Sequence, residues 1–296
     1  MTTQSIVDEL VRVGLDPDAV LGIVAMALAE DLGGPDGVDV TSAATIPATQ
    51  TDTADLVARA AGVVAGLGVA AAVFDRASDG AARVTVTAQD GDTVARGDVL
   101  ATVEGPTRGL LTAERTALNL LCRMSGVATH TRAWADALAG TGAMVLDTRK
   151  TTPGLRVLEK YAVRVGGGTN KRMGLYDAAM VKDNHKIAAG GVAAAYRRIR
   201  EAFPQVPVQV EVTTVAEAIE AVEAGADFLL CDNMSPALLR EVVVAVAGRA
   251  ELEATGGLTL EVARDYAATG VDYLSVGGLT HSSPILDIAL DMRPRG

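Results

Sequence analysis

Six short apolar runs constrain this chain most: "AMVLD", "AAMVKD", "VQVEV", "DFLLCD", "AELEAT" and "DYLSVGG". Each ends on a polar or glycine tip. Between them lie amphipathic patterns such as "TTVAEAIEAVEAG", "SPALLREVVVAVAG" and "TLEVARDYAATG", several opening on Ser or Thr and closing on Gly, as helix capping favours. Apolar strands alternating with helices predict consecutive parallel βαβ units. Six units permit a barrel short of eight strands or an open doubly wound sheet. The tips favour the first. They carry Asp147, Thr148, Arg149 and Lys150, then Lys182 and Asp183, Glu211, Asp232, Thr255 with Gly256 and Gly257, and Gly277 with Gly278. An open sheet uses the few tips at one switch point, whereas a barrel gathers all its carboxyl-terminal strand ends around one mouth. The expected class is α/β, an incomplete six-stranded barrel.

The first hundred or so residues read differently. Two helical patterns, "SIVDELVRVGL" and "DAVLGIVAMALAEDLG", precede β-like runs "TADLVARA", "RVTVTA" and "VLATVEG" separated by Gly and Asp turns, which predicts a small α+β sheet domain. The segment "DGDTVARGDVLATVEG" has the hairpin look of a biotinyl or lipoyl carrier, but such a carrier needs a lysine at its turn. No lysine precedes Lys150. From about residue 112, "TAERTALNLLCRMSGVATHTRAWADALAG" predicts a long helix leading into the repeating units.

Charge narrows the function. The formal net charge is −11 and the pI about 4.8, which argues against nucleic acid or an anionic membrane as the main partner. Residues 147 to 186 run the other way, with nine cations against four anions, and they hold every lysine of the chain: Lys150, Lys160, Lys171, Lys182 and Lys186. A basic island in an acidic protein points to a small, strongly anionic ligand. Cys122 and Cys231 sit in apolar contexts without metal spacing and read as buried free thiols. The first residues show no signal-peptide pattern, and the longest apolar run, "GVVAGLGVAAAVF", is too short to span a bilayer, so a cytoplasmic location is expected.

The tips have chemistry of their own. Thr255, Gly256, Gly257 and Val276, Gly277, Gly278 lead from strand ends into helical starts, where bare backbone amides can seat a phosphate. Glu211 and Asp232 can accept hydrogen bonds from vicinal hydroxyls, help hold a hydrated divalent cation, or stabilise positive charge on a reacting carbon. No histidine lies at a ligand spacing from them, which argues against zinc. Arg115, Arg149 and Arg172 offer planar forks for carboxylates, and Lys150 and Lys182 place compact charge on phosphate oxygens. Lys160, Lys186, Arg156 and Arg164 read as a solvated face. His130 reads as structural, while His185 and His281 follow strand tips. Three functions fit these residues: transfer involving a phosphorylated sugar, a Schiff-base aldolase acting through Lys182, and a phosphometabolite sensor without chemistry.

The stretches "EDLGGPDGVDVTS", "AERTALNLLCRMSGVAT", "DTRKTTPGLR", "EKYAVRVGGGTNKRMGLYDAAMVKDNH", "EVTTVAEAIEAVEAGADFLLCDNM", "EATGGL" and "VDYLSVGGLTHS" resemble, in order, the quinolinate phosphoribosyltransferases. A second, related resemblance is to the homologues encoded in molybdate-transport operons. The first implies an amino-terminal open sandwich domain, 1–112, with the tail 284–296 packing on it, and a barrel domain, 113–283. It implies condensation of quinolinate with phosphoribosyl diphosphate, assisted by Mg²⁺ and no organic cofactor, yielding nicotinate mononucleotide, diphosphate and CO2. It further implies a homodimer, able to assemble further, in which Arg115 reaches the neighbour's quinolinate. Arg149 and Arg172 would hold the quinolinate carboxylates, with Lys171 among the substrate-binding residues. Thr148, Lys150 and Lys182 would line the shared pocket, with Lys182 near the reacting groups. Glu211 and Asp232 would meet the ribose hydroxyls and the hydrated Mg²⁺, and Thr255 to Gly257, Val276 to Gly278 and His281 would surround the 5′-phosphate. One departure stands out: the motif usually reads Asn-His-Arg where this chain has Asn170, Lys171, Arg172. Thr255 stands where serine is often found.

Overall fold

The computed structural model describes residues 1–295. In chain order the first elements are α1 (Thr3–Arg12), α2 (Pro17–Leu32), α3 (Val40–Thr45), β1 (Thr51–Ala58), β2 (Gly62–Val63), α4 (Leu67–Ala77), β3 (Arg83–Val86), β4 (Thr93–Val94), β5 (Val99–Pro106) and α5 (Thr107–Leu138). There follow β6 (Met144–Leu146), α6 (Arg156–Val165), β7 (Ala179–Val181), α7 (Asp183–Ala189), α8 (Val192–Ala202), β8 (Val208–Val212), α9 (Val215–Glu223), β9 (Phe228–Asp232), α10 (Pro236–Val246), β10 (Glu251–Thr255), α11 (Ala263–Ala267), β11 (Tyr273–Ser275), α12 (Gly278–His281) and β12 (Ile288–Met292). Contacts divide the chain into two compact units. One comprises 1–132, 151–167 and 280–296, the other 133–150 and 168–279. The boundary expected at 112/113 falls inside α5, a single uninterrupted helix.

Local chemistry sets several boundaries. Asp16 caps α2 by accepting from the Asp18 amide, with Pro17 in the first turn, and Gly33 ends that helix in the left-handed region at φ 77°. Thr214 and Ser235 cap α9 and α10 in the same way, accepting from the Glu217 and Leu238 amides. These are the Ser and Thr positions that the pattern singled out. The apolar run at 62–74 is not one element: it makes the two residues of β2 and then most of α4, whose apolar face is buried.

In the first unit the antiparallel sheet runs β12-β1-β5-β3, and α4 packs on β3 and β5. The carboxyl-terminal strand joins it through β1, and three ion pairs fasten it: Arg59 to Asp291, Arg293 to Asp55 at 2.8 Å, and Arg295 to Asp52 at 2.7 Å. Helix α6 corrects one expectation. Its Lys160 is 1% exposed and is not part of a solvated face. Beside it, buried Glu159 accepts from Arg123 Nε at 3.0 Å and Nη2 at 2.8 Å, and from Thr152 N and Oγ1 at 2.9 and 2.7 Å. Arg123 also donates to the carbonyls of Ser283 and Thr280.

In the second unit all six strands are parallel, in the order β6-β11-β10-β9-β8-β7. From β7 to β11 each strand pairs with the next in the chain, and the first strand, β6, then pairs with the last. That is the cyclic order of a barrel with one seam open, between β6 and β7. A doubly wound sheet would instead reverse direction at a switch point. Residues 168–170 run beside β6 at this seam, where Thr169 N donates to Val145 O at 2.9 Å and Asp147 N to Thr169 O at 3.2 Å. The chain thus has the α/β fold of an incomplete six-stranded barrel, with a separate antiparallel α+β sheet.

Candidate active site

The carboxyl-terminal ends of these strands enclose a cavity of about 370 Å³, lined by Thr148, Arg149, Lys150, Lys171, Arg172, Lys182, Glu211, Asp232, Thr255 and Ser275, with Met180 and Leu230 as its apolar members. Each polar side chain arrives from a strand end or from the open seam. Alternation along β8, β9 and β10 turns Glu211, Asp232 and Thr255 to the same side of the sheet as the mouth. Lys182 sits at the junction of β7 and α7, where its backbone amide donates to His185 Nδ1 at 3.0 Å. Its ammonium is 3.6 Å from Glu211 Oε2, and the side chain is 53% exposed. Five cations and two carboxylates therefore face one space.

The seam residues are held by a buried clamp. Asp147, wholly buried at the end of β6, accepts from Asn170 Nδ2 at 2.7 Å and from the Lys171 amide at 2.8 Å. Asp147 thus positions its neighbours instead of lining the cavity. Lys171 extends inward to Glu253. Burial pulls its pKa below the ordinary lysine value, an effect that Glu253 opposes. Arg172 donates to the Ala178 carbonyl at 2.8 Å, and Asp177 closes the turn beyond by accepting from the Met173 and Gly174 amides at 2.7 and 3.0 Å. Burial and then neighbouring Arg149 lower the Arg172 pKa, although a guanidinium stays charged at neutral pH.

At the end of β10, Gly256 has φ 102°, and a Cβ there would lie 2.2 Å from Asn233 Oδ1. Only glycine fits that approach. Asn233 itself is left-handed and donates its side-chain amide to Asp232 Oδ2 at 2.9 Å. Thr255 is level with Ser275 of β11, so the Gly256–Gly257 and Gly277–Gly278 turns, with Val276, leave the sheet from neighbouring strands. Arg115, exposed on α5, and exposed His281, whose Nδ1 lies 2.6 Å from Ser282 Oγ, belong to the other compact unit.

Comparison with known proteins decides the family. Residues 39–125 match the quinolinate phosphoribosyl transferase N-terminal domain, and residues 127–291 the C-terminal domain. The chain is 49% identical over 281 residues to the carboxylating nicotinate-nucleotide pyrophosphorylase of Mycobacterium leprae, spanning 93% of this chain and 98% of that protein. The chain belongs to the quinolinate phosphoribosyltransferase family. It is 40% identical to the decarboxylating quinolinate phosphoribosyltransferase 1 of Nicotiana glauca, over 91% of this chain and 81% of that one. Among solved structures, NadC from Streptococcus pyogenes superposes with a TM-score of 0.88 at 38% identity, covering 95% of this chain and 97% of that chain.

Family membership removes the aldolase and sensor readings, and the geometry agrees about the first. Desolvation is one route to a Schiff-base nucleophile, and the Lys182 side chain, half exposed and 3.6 Å from Glu211, is not desolvated. Lys186, expected on a solvated face with Lys160, is buried instead and bonds Glu217 at 3.0 Å and Asp183 at 2.7 Å. Two residues carry no plain signal in the sequence, Glu253 and Arg123. Glu253 sits in mid-strand, where "ELEAT" reads as plain β; the available signal was that it shares a face with Thr255, two residues on. Arg123 is one polar position in a long helical pattern, and Asp147, a strand tip by pattern, is buried behind the cavity. Both thiols are buried as expected, and burial pushes the Cys231 thiol up to about 12.

Proposed function

We propose that this chain transfers the phosphoribosyl group of phosphoribosyl diphosphate to quinolinate and decarboxylates the product, yielding nicotinate mononucleotide, diphosphate and CO2. The observation that carries this is the one cavity in which Arg149, Lys150, Lys171, Arg172 and Lys182 face Glu211 and Asp232. A dicarboxylate and a diphosphate suit a cluster of cationic donors, and a ribose with a developing positive charge suits the carboxylates. Arg149, Lys171 and Arg172 hold the two quinolinate carboxylates, the arginines as planar forks. Lys150 and Lys182 face diphosphate oxygens, with Thr148 beside them, and the Thr255–Gly257 and Val276–Gly278 turns seat the 5′-phosphate.

As the bond from the ribose C1′ to diphosphate lengthens, C1′ gains oxocarbenium character, which Glu211 and Asp232 stabilise while Lys150 neutralises the leaving group. The pyridine nitrogen forms the new bond to C1′ and becomes a pyridinium. The bond from ring C2 to its carboxylate then breaks as CO2 leaves. The electron pair stays on C2 beside the positive nitrogen, and a proton from solvent takes it up.

Mg²⁺ fits the residues present. Among the described residues no group of three His, Cys, Asp or Glu side chains is placed to cage a metal. Mg²⁺ keeps most of its waters and leans on one or two carboxylates plus substrate phosphates. Glu211 and Asp232 would hold it through water, and it would supply charge neutralisation on the diphosphate. The chemistry needs no organic cofactor, because the pyridinium is its own electron sink. We further propose a cytoplasmic homodimer in which exposed Arg115 reaches the neighbouring site; among the described residues no helix is long and apolar enough to cross a membrane.

The test is an assay of purified protein with phosphoribosyl diphosphate and either quinolinate or nicotinate, following both CO2 and diphosphate. Quinolinate-dependent CO2 release is expected. Turnover of nicotinate alone would point to another phosphoribosyltransferase.

A further inference from the structure

Glu253 lies in the middle of β10 with its side chain 0% exposed, and the Lys171 ammonium, 7% exposed, sits 2.6 Å from its Oε1. The other oxygen, Oε2, is buried and accepts no hydrogen bond from the described residues. Stability gives little reason for such a pair, because replacing a buried ion pair by apolar side chains of similar volume is often neutral or stabilising. The pair does something else: it fixes Lys171 from two sides. Asp147 pins the main chain of Lys171, Glu253 pins the far end of its side chain, and between these anchors Lys171 lines the cavity beside Arg149, Arg172 and Lys182.

We infer that Glu253 is a positioning residue for the quinolinate site, holding the Lys171 ammonium against the pocket wall as a charge-compensated hydrogen-bond donor to a substrate carboxylate. An ammonium has three N–H donors, and one of them points at Glu253. With its charge balanced, Lys171 offers a directed donor without adding a further net charge to the repulsion among Arg149, Arg172 and Lys182. Glu253 also favours the protonated form of Lys171. Burial, Arg172 and Lys182 all act to strip its proton, and Glu253 is the group that opposes them. Of the other ionisable groups nearby, Asp147 at the end of β6 is already bonded to Asn170 and to the Lys171 backbone, and Cys231 on β9 stays a neutral thiol. Lys150, Glu211 and Asp232 complete the cavity.

The inference rests on the phosphoribosyl-transfer reading above, and the experiment separates the two. Wild-type protein is first assayed with quinolinate; absence of turnover overturns the functional reading before any variant is made. Glu253→Gln, Lys171→Met and the double variant are then compared for the KM of each substrate, thermal midpoint and pH profile. Glu253→Gln is expected to raise the quinolinate KM roughly tenfold, the scale of one charge-assisted hydrogen bond. It leaves the phosphoribosyl diphosphate KM within about twofold. It also moves the alkaline fall of kcat/KM for quinolinate to lower pH, since Lys171 loses the group that keeps it charged. The double variant, neutral at both positions, regains the wild-type thermal midpoint but not the wild-type quinolinate KM. A merely structural pair would regain both. An unchanged quinolinate KM and alkaline limb in Glu253→Gln, or full recovery of KM in the double variant, would overturn the inference. Should Glu253→Gln not fold, Glu253→Asp, which draws the ammonium back by about one methylene, is expected to raise the quinolinate KM and not that of phosphoribosyl diphosphate, and an unchanged quinolinate KM would overturn the inference.

Discussion

Replacing Arg172 by alanine removes a half-buried guanidinium that lines the cavity and donates to the Ala178 carbonyl at 2.8 Å. Two separable losses follow. Within the protein, a neutral carbonyl loses one hydrogen bond near the seam, worth about 1 kcal/mol, which lowers the thermal midpoint by a few degrees. Toward the substrate, one quinolinate carboxylate loses a charged fork. A fully buried charge pair loses 2–5 kcal/mol when one partner is truncated; half burial places this site at the low end. About 2 kcal/mol corresponds to a quinolinate KM raised roughly 30-fold. The phosphoribosyl diphosphate KM stays near wild type, because Lys150, Lys182 and the glycine turns are untouched. Arg172→Lys, which keeps the charge but not the planar fork, falls between. Steady-state kinetics with each substrate varied in turn, beside a thermal melt, reads all of these. Wild-type quinolinate kinetics in Arg172→Ala, or equal rises in both KM values, would refute the assignment.

Glu159→Gln leaves Arg123 without its buried counter-charge and is expected to cost about 3 kcal/mol, read by urea unfolding; a loss below about 1 kcal/mol, the scale of an exposed pair, would show that the network is not held by charge. Gly256→Ala forces a methyl within 2.2 Å of Asn233 Oδ1 at φ 102°, so the KM for phosphoribosyl diphosphate is expected to rise more than that for quinolinate; the reverse order would remove the turn from the phosphate seat. The Arg295 and Arg293 side chains hold the pKa values of Asp52 and Asp55 below the ordinary carboxylate value. Depressed carboxylates stabilise above their unfolded pKa and lose that contribution as pH falls through the folded one. Amide exchange in β12, corrected for intrinsic rates, should therefore quicken below about pH 4, and pH-independent protection would count against the ion pairs.

Much of the site was legible because a parallel strand advertises its mouth end. An apolar run, a polar tip and a capped helix place Lys182, Glu211, Asp232 and Thr255 at equivalent positions without any coordinates. Glu253 was harder to read, since a lone acid inside a strand acquires meaning only once its neighbour is known, and that neighbour is 82 residues away in sequence. Lys160 and Lys186 failed for the opposite reason. Helical spacing assigned them to water, and tertiary packing covered both.

By itself, the sequence determined the α/β class, the six strand ends and the cationic character of the site, because these follow from periodicity, capping and composition, all local properties. Only the tertiary structure decided that β6 pairs with β11, that the barrel stays open beside β7, and that Lys171 turns inward to Glu253 at that seam. Pairing between distant strands and compensation of a buried charge depend on which residues meet in space, and no local pattern carries that information.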